Sequence, residues 1–228
     1  MNSKISTAFD ILCAEFFYPR VKQFDFNPLG IKPQKENLVI RTISIENTLE
    51  QMRYFIVKMI DDPDFHEATM KIIKYAKGRC ELANNEVEKE QVFFIYEFYK
   101  KFYEWMIHSI QYVHDAINNE HVRNPLLTLF YGGADCDDFV TTYCSGNACA
   151  AAMYGIKGSA FRVILAGNDN SPSHVFTQVL IGGAWVSVDI TNPKEPFGWM
   201  PPFKNYWIGF TSDDLYSNKK LKMKKIKF

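Results

Sequence analysis

The chain has 228 residues and a mass of 26.5 kDa, with 26 basic against 26 acidic side chains, so its formal net charge is zero. That balance excludes a globally basic nucleic-acid footprint, and a chain with 47% hydrophobic and 23% charged residues is not globally disordered. Surface scaling lets a chain of this size bury about 72% of its unfolded area, enough for one core without disulfide staples. The zero also hides an asymmetry: residues 219–228 hold six lysines and no acid, which leaves 20 − 26 = −6 on residues 1–218.

Residues 1–36 combine Pro19, Pro28 and Pro33 with Phe16, Phe17, Tyr18, Phe24 and Phe26, a composition that breaks regular structure and reads as an extension able to dock on a partner. A domain is expected over 37–205 and a basic tail over 206–228. Residues 38–44 read as a strand. Ser44 and Asn47 offer caps for a helix over about 47–61, with Leu49, Met52, Phe55, Ile56 and Met59 on one face. A second helix is expected over about 65–78, ending near Gly78. From Asn85 to Ile117 a long helical pattern carries rings on every face, including Phe98, Tyr99, Phe102, Tyr103 and Trp105. Only Lys100 and Lys101 add charge there, so a buried helix is preferred to a ring-lined nucleic-acid platform. After Pro125 and the Gly132-Gly133 turn, a helix is predicted from Asp135 to about Tyr154, stopped by Gly155 and Gly158. Strands follow at 160–166, 174–181 and 184–190.

Five cysteines, Cys13, Cys80, Cys136, Cys144 and Cys149, form no CxxC pair and match no zinc spacing. No leader-like segment and no run of about 18 apolar residues is present, so a reducing cytoplasmic setting with free thiols is expected. His114 and His121, seven apart, are readable as a metal pair or as solvated surface; surface is preferred.

Within GGADCDDF, residues 132–139, Asp135 is a good N-cap and places Cys136 at the first helical position. A thiol there meets the positive end of the helix dipole and free backbone N–H groups, which favour thiolate and can hold an oxyanion. Asp135, Asp137 and Asp138 oppose this, because negative neighbours raise a thiol pKa. Such a thiolate needs a positive partner, most simply a histidine. The segment SHVFTQVLIGGAWVSVDI reads as a hairpin closed by Gly182-Gly183. Pairing Ile181 with Ala184 sets Gln178 opposite Ser187 and Phe176 opposite Asp189, so His174 and Asp189 become diagonal neighbours on one face. The other face, from Val175 to Ile190, is almost wholly apolar and is assigned to the core. Phe176 and Trp185 share the histidine face and are possible pocket walls.

The order Cys136, His174, Asp189, with the thiol opening a helix and the others on consecutive strands, resembles the transglutaminase-like superfamily of papain-type cysteine enzymes. The likeness runs through QYVHDAINNEHVRNPLLTLFYGGADCDD, YGIKG, SHVFTQV and AWVSVDITNP, and is strongest to transglutaminase-like proteins of phage and prophage genomes. Two positions differ from that pattern: Ala134 stands where glycine usually precedes DC, and Ser145-Gly146-Asn147 interrupts the apolar run of the cysteine helix. The resemblance implies an α+β fold, with helices packed on an antiparallel sheet and one helix opening at the cysteine. It implies Cys136 as nucleophile, His174 as base and Asp189 as its orienter; the backbone N–H of Cys136 is read as part of the oxyanion site, with Tyr112 and Asp135 as its expected support. The expected activity is that of a peptidase, amidase or acyltransferase acting on protein or peptide amides, with no cofactor, metal or membrane involved. The alternative is a virion-associated structural or assembly protein, docking on other subunits through residues 1–36 and the 219–228 lysines. Nucleic acid is expected, if at all, only at that tail.

Overall fold

The computed structural model describes residues 39–42, 44–82, 87–115, 120–154 and 160–228. The 1–36 extension, Cys13 and the Gly155–Gly158 helix stop lie outside the described residues. Among the described residues there are five helices and nine strands, an α+β arrangement in which helices cover one face of an antiparallel sheet.

Strand β1 (Val39–Arg41) pairs antiparallel with β3 (His121–Arg123). Helix α1 (Ile45–Ile60) starts two residues earlier than its pattern suggested, because Ser44 takes the N-cap and its hydroxyl accepts the Asn47 N–H at 3.2 Å. The face predicted from periodicity is buried as expected: Leu49, Met52, Phe55, Ile56 and Met59. Helix α2 (Pro63–Leu82) opens with proline at its first position behind Asp62, whose carboxylate accepts the Asp64 and Phe65 N–H groups, and it continues through Gly78.

Helix α3 (Val87–Ser109) ends eight residues before the close of the expected 85–117 run. Beyond Ile110 the backbone leaves the helix to form β2 (Gln111–Tyr112), which pairs parallel with β4 (Gly133–Ala134). Its rings face the core as read: Phe98, Tyr99, Phe102, Tyr103 and Trp105 are all buried. Between β3 and β4 lies α4 (Pro125–Tyr131), a short helix that the sequence reading passed over. Its signals are Asn124 as N-cap, Pro125 at the first position and Gly132 in the left-handed conformation (φ 65°) at its end.

Helix α5 (Cys136–Tyr154) is the centre of the molecule, packed against α1, α2, α4 and strand β6. It runs unbroken through Ser145-Gly146-Asn147, where the apolar pattern is interrupted. Ser145 bonds back to the Thr141 carbonyl at 2.7 Å, and Gly146 lets the Phe102 ring lie directly on the helix backbone.

The main sheet has the order β7-β6-β5-β8-β9, from β5 (Phe161–Gly167), β6 (His174–Ile181), β7 (Ala184–Val188), β8 (Asn205–Thr211) and β9 (Lys224–Ile226). The β6–β7 hairpin has the predicted register, Ile181 with Ala184, Leu180 with Trp185 and Gln178 with Ser187. Val175, Thr177, Val179, Val188 and Ile190 are buried against the helices, whereas Ala184 at the hairpin end is exposed. The segment 206–228 is a correction to the expected basic tail: it supplies most of β8, between β5 and β9, and all of β9. A second apolar cluster, Ile164, Ala166 and Phe176, sits on the other face under Phe203, Tyr206, Ile208 and Ile226. No described helix is long and apolar enough to cross a membrane.

Candidate functional site

The site forms where α5 begins, β6 begins and β7 ends. The β2–β4 pairing fixes Ala134 beside Tyr112, and the Phe139 N–H then bonds the Asp135 carbonyl at 3.1 Å to start the helix. Cys136 therefore occupies the first helical position, as read from Asp135. The Asp135 side chain is a weak cap, 3.5 Å from the Asp138 N–H.

The hairpin brings His174 and Asp189 together, with Nε2 of the imidazole 3.0 Å from Oδ2 of the carboxylate. Asp189 Oδ1 accepts from the Thr191 hydroxyl at 2.7 Å and from its backbone N–H at 3.1 Å. Burial acts upward on the Asp189 carboxyl, but the His174 bond and charge and the two Thr191 donors outweigh it and hold the carboxyl below its ordinary value. Thr191 was missed in the sequence. Its signal was the Asp-Ile-Thr spacing, in which a carboxylate commonly takes the backbone N–H two residues on. Phe203 was also missed; its ring stacks on His174 at 5.5 Å, as does that of Phe176 at 6.3 Å, and only the fold brings Phe203 there.

Cys136 and His174 line one cavity of about 590 Å³, whose walls include Ile45, Leu49 and Met52 of α1, with Leu165, Ser173 and Val175. Phe176 and Trp185, expected as walls, do not line it. Phe176 is fully buried beneath the sheet, and Trp185 lies under the Arg162 guanidinium at 4.4 Å. That arginine is held by a ladder running from Arg162 to Gln178 to Ser187 across three strands.

Tyr112 stands close enough to Cys136 for their charges to interact, but its hydroxyl meets His114 Nδ1 at 3.3 Å. Burial and the neighbouring Cys136, Asp135 and Asp137 push its phenol upward, so it is present as a neutral donor. His121 pairs with Asp115 rather than with His114, consistent with the surface reading of those histidines.

The electrostatics at the thiol are unfavourable to thiolate, as the flanking acids suggested. Burial, then Asp137 and Asp135, push the Cys136 thiol well up, against a hydrogen bond from the Val175 backbone that acts downward. Burial and the adjacent Asp135 carboxyl likewise raise Asp137, and burial with Asp135 and Asp115 raises Glu120. Cys144 and Cys149 are buried in the core, each pushed to about 12 chiefly by burial.

The chain matches no family model and no curated protein. Among solved structures it is similar to a protein from Cytophaga hutchinsonii provisionally described as a cysteine protease, at 17% identity and a TM-score of 0.35. The match covers 74% of this chain and 50% of that one, so this chain spans half the length of its neighbour.

Proposed function

We propose that the protein is a thiol acyl-transfer enzyme of the peptidase or amidase type, with Cys136 as nucleophile, His174 as base and Asp189 as the residue that orients the base. The observation that carries this reading is that His174, hydrogen-bonded to Asp189, lines the same cavity as a cysteine at a helix N-terminus. With Nε2 committed to Asp189, Nδ1 is the nitrogen left to accept the thiol proton. Burial and the flanking acids act upward on the thiol, so in this reading its proton moves to His174 as the sulfur attacks. Sulfur bonds to the amide carbon, the carbonyl electrons move to oxygen, and the imidazolium is stabilised by Asp189. The backbone N–H of Cys136 is the proposed oxyanion donor, with Tyr112 as a further one. Collapse expels the amine with the proton from His174, leaving a thioester that water or a second amine resolves.

Alkylation tests this without a known substrate. Iodoacetamide at neutral pH, mapped by mass spectrometry, is expected to modify Cys136 faster than Cys144 or Cys149. His174→Ala is expected to slow Cys136 by about a hundredfold, the lower end of a general-base contribution. Cys136 alkylation that is indifferent to His174→Ala would overturn the enzymatic reading and favour a structural role for the fold.

A further inference from the structure

We propose that Arg162, set against Trp185 and Phe228 on the outer face of the sheet, is a docking site for a carboxylate side chain on an acidic segment of a protein partner. This goes beyond the acyl-transfer reading and does not depend on it. Strand parity puts Arg162, Gln178, Ser187 and Trp185 on the face turned away from the helices, the face that also carries Ile164 and Phe176.

The guanidinium is held in one orientation by this chain alone. Its Nε donates to Gln178 Oε1 at 2.7 Å, and Gln178 Nε2 donates in turn to Ser187 Oγ at 3.0 Å. Gln178 and Ser187 are buried, so the ladder has little freedom to turn. The guanidinium carbon lies over the Trp185 ring at 4.4 Å and the Phe228 ring at 5.8 Å. Phe228 is itself braced edge-on against Tyr206 at 5.0 Å. With Nε occupied, the N–H groups of both Nη atoms remain, and among the described residues they meet no carboxylate or carbonyl. They form the end-on fork that a carboxylate accepts bidentately. Burial disfavours the charged form of Arg162, and no neighbouring acid offsets it. Arg53 and Arg123, by contrast, each pair with a carboxylate of this chain. A fixed, half-buried cation without a counter-charge gives a partner's carboxylate more than an ordinary surface arginine would.

The surroundings select a protein segment. Trp185 and Phe228 remain 37% and 59% exposed, large rings beside an arginine, a combination enriched at the centres of protein interfaces. Lys224 shares the face: it pairs with Ile208, whose side chain packs on the Ile164 and Phe176 cluster, and it is exposed. The face thus offers one fixed fork, two exposed rings and a second, flexible cation, which complement acids interspersed with apolar residues. A nucleic acid would present a succession of phosphates, and one fork does not track them.

Fluorescence anisotropy with the full chain at low salt tests the site. The probes are a short labelled peptide alternating glutamate with tyrosine, its glutamine counterpart, and labelled oligothymidylate. The glutamate peptide is expected to bind saturably, and the other two at least about tenfold more weakly. Arg162→Gln is expected to weaken the glutamate peptide by about tenfold or more, the loss typical of one charge-assisted pair. Arg162→Lys keeps the charge but not the fork and should lose nearly as much, which diffuse attraction alone would not produce. Trp185→Ala, near the hairpin turn, serves if the Arg162 variants do not fold, and should weaken binding by about fivefold or more. Cys136→Ala removes the proposed nucleophile and should leave binding unchanged, so failure of the enzymatic reading and failure of the docking site are read separately. Absence of saturable binding up to about 1 mM overturns the proposal. So does equal binding of the two peptides, a preference for oligothymidylate, or an Arg162→Lys protein that binds as wild type does.

Discussion

Asp189 accepts from three donors, the His174 ring, the Thr191 hydroxyl and the Thr191 N–H, at a position only 6% exposed. Removing it leaves a half-buried imidazole and two donors without their acceptor, so Asp189→Ala should cost about 3 kcal/mol in urea unfolding at neutral pH. The pH dependence has a definite sign. The folded pKa lies below the unfolded carboxyl value of about 3.9, so the carboxylate's contribution is complete above about pH 4. It is lost as pH falls through the folded value. The stability gap between wild type and Asp189→Ala should therefore narrow as pH falls below about 4. A gap that widens below about pH 4 would contradict the assignment. At this scale the reading from residues was strong for His174 and Asp189, because strand parity places them on one face without any tertiary information. It failed for Phe176 and Trp185, since parity says which face a ring occupies and not what covers that face.

The elements show why glycine and proline were harder to read than apolar periodicity. Gly146 interrupts the apolar run of the cysteine helix, yet a Cβ there would sit 2.0 Å from Cε1 of Phe102, itself stacked on Tyr143 and Trp105. The residue is a packing requirement between α3 and α5. Gly146→Ala gains about 1 kcal/mol of helix propensity but must displace a buried ring, an overpacking cost of about 1–3 kcal/mol. The net expectation is destabilisation by about 1 kcal/mol in chemical denaturation, relieved in the double variant with Phe102→Leu. A Gly146→Ala protein more stable than wild type would show that the ring yields freely. A similar close approach occurs at Gly209 in β8, where a Cβ would lie 2.7 Å from Leu49, next to the shift in β5–β8 register. In α4 the punctuation was legible in principle: Asn124-Pro125 opens the helix and Gly132 closes it. Seven residues between two breakers read as loop because so short a helix shows little periodicity.

For the whole molecule the main revision concerns the lysine-rich end. Its lysines flank a strand that closes the sheet, with Lys224 and Lys225 exposed where charge blocks further strand pairing. Leu221 is buried, its N–H bonds Glu50, and Arg53 gathers the carbonyls of Asp214, Ser217 and Lys219 against α1. Truncation after Ser217 should therefore remove the buried Leu221, expose the cluster around Ile164 and Phe176, and cost about 3 kcal/mol, a fall in Tm of about 10 °C. A dispensable docking tail would leave the melting temperature unchanged.

By itself the sequence determined the hairpin, its register, the His174–Asp189 juxtaposition, the buried face of α1 and the helix that opens at Cys136. Each follows from local periods and caps that act within a few residues. The tertiary structure alone decided that residues 206–228 belong to the sheet, that Phe203 covers His174, and that Glu120 stands beside Asp135 and Asp137. Those contacts join segments far apart in the chain, and pairing across such distances depends on shape and burial that no local pattern encodes. The zero net charge hid the same division: the acids gather around Cys136, while the lysines that balance them line the far edge of the sheet.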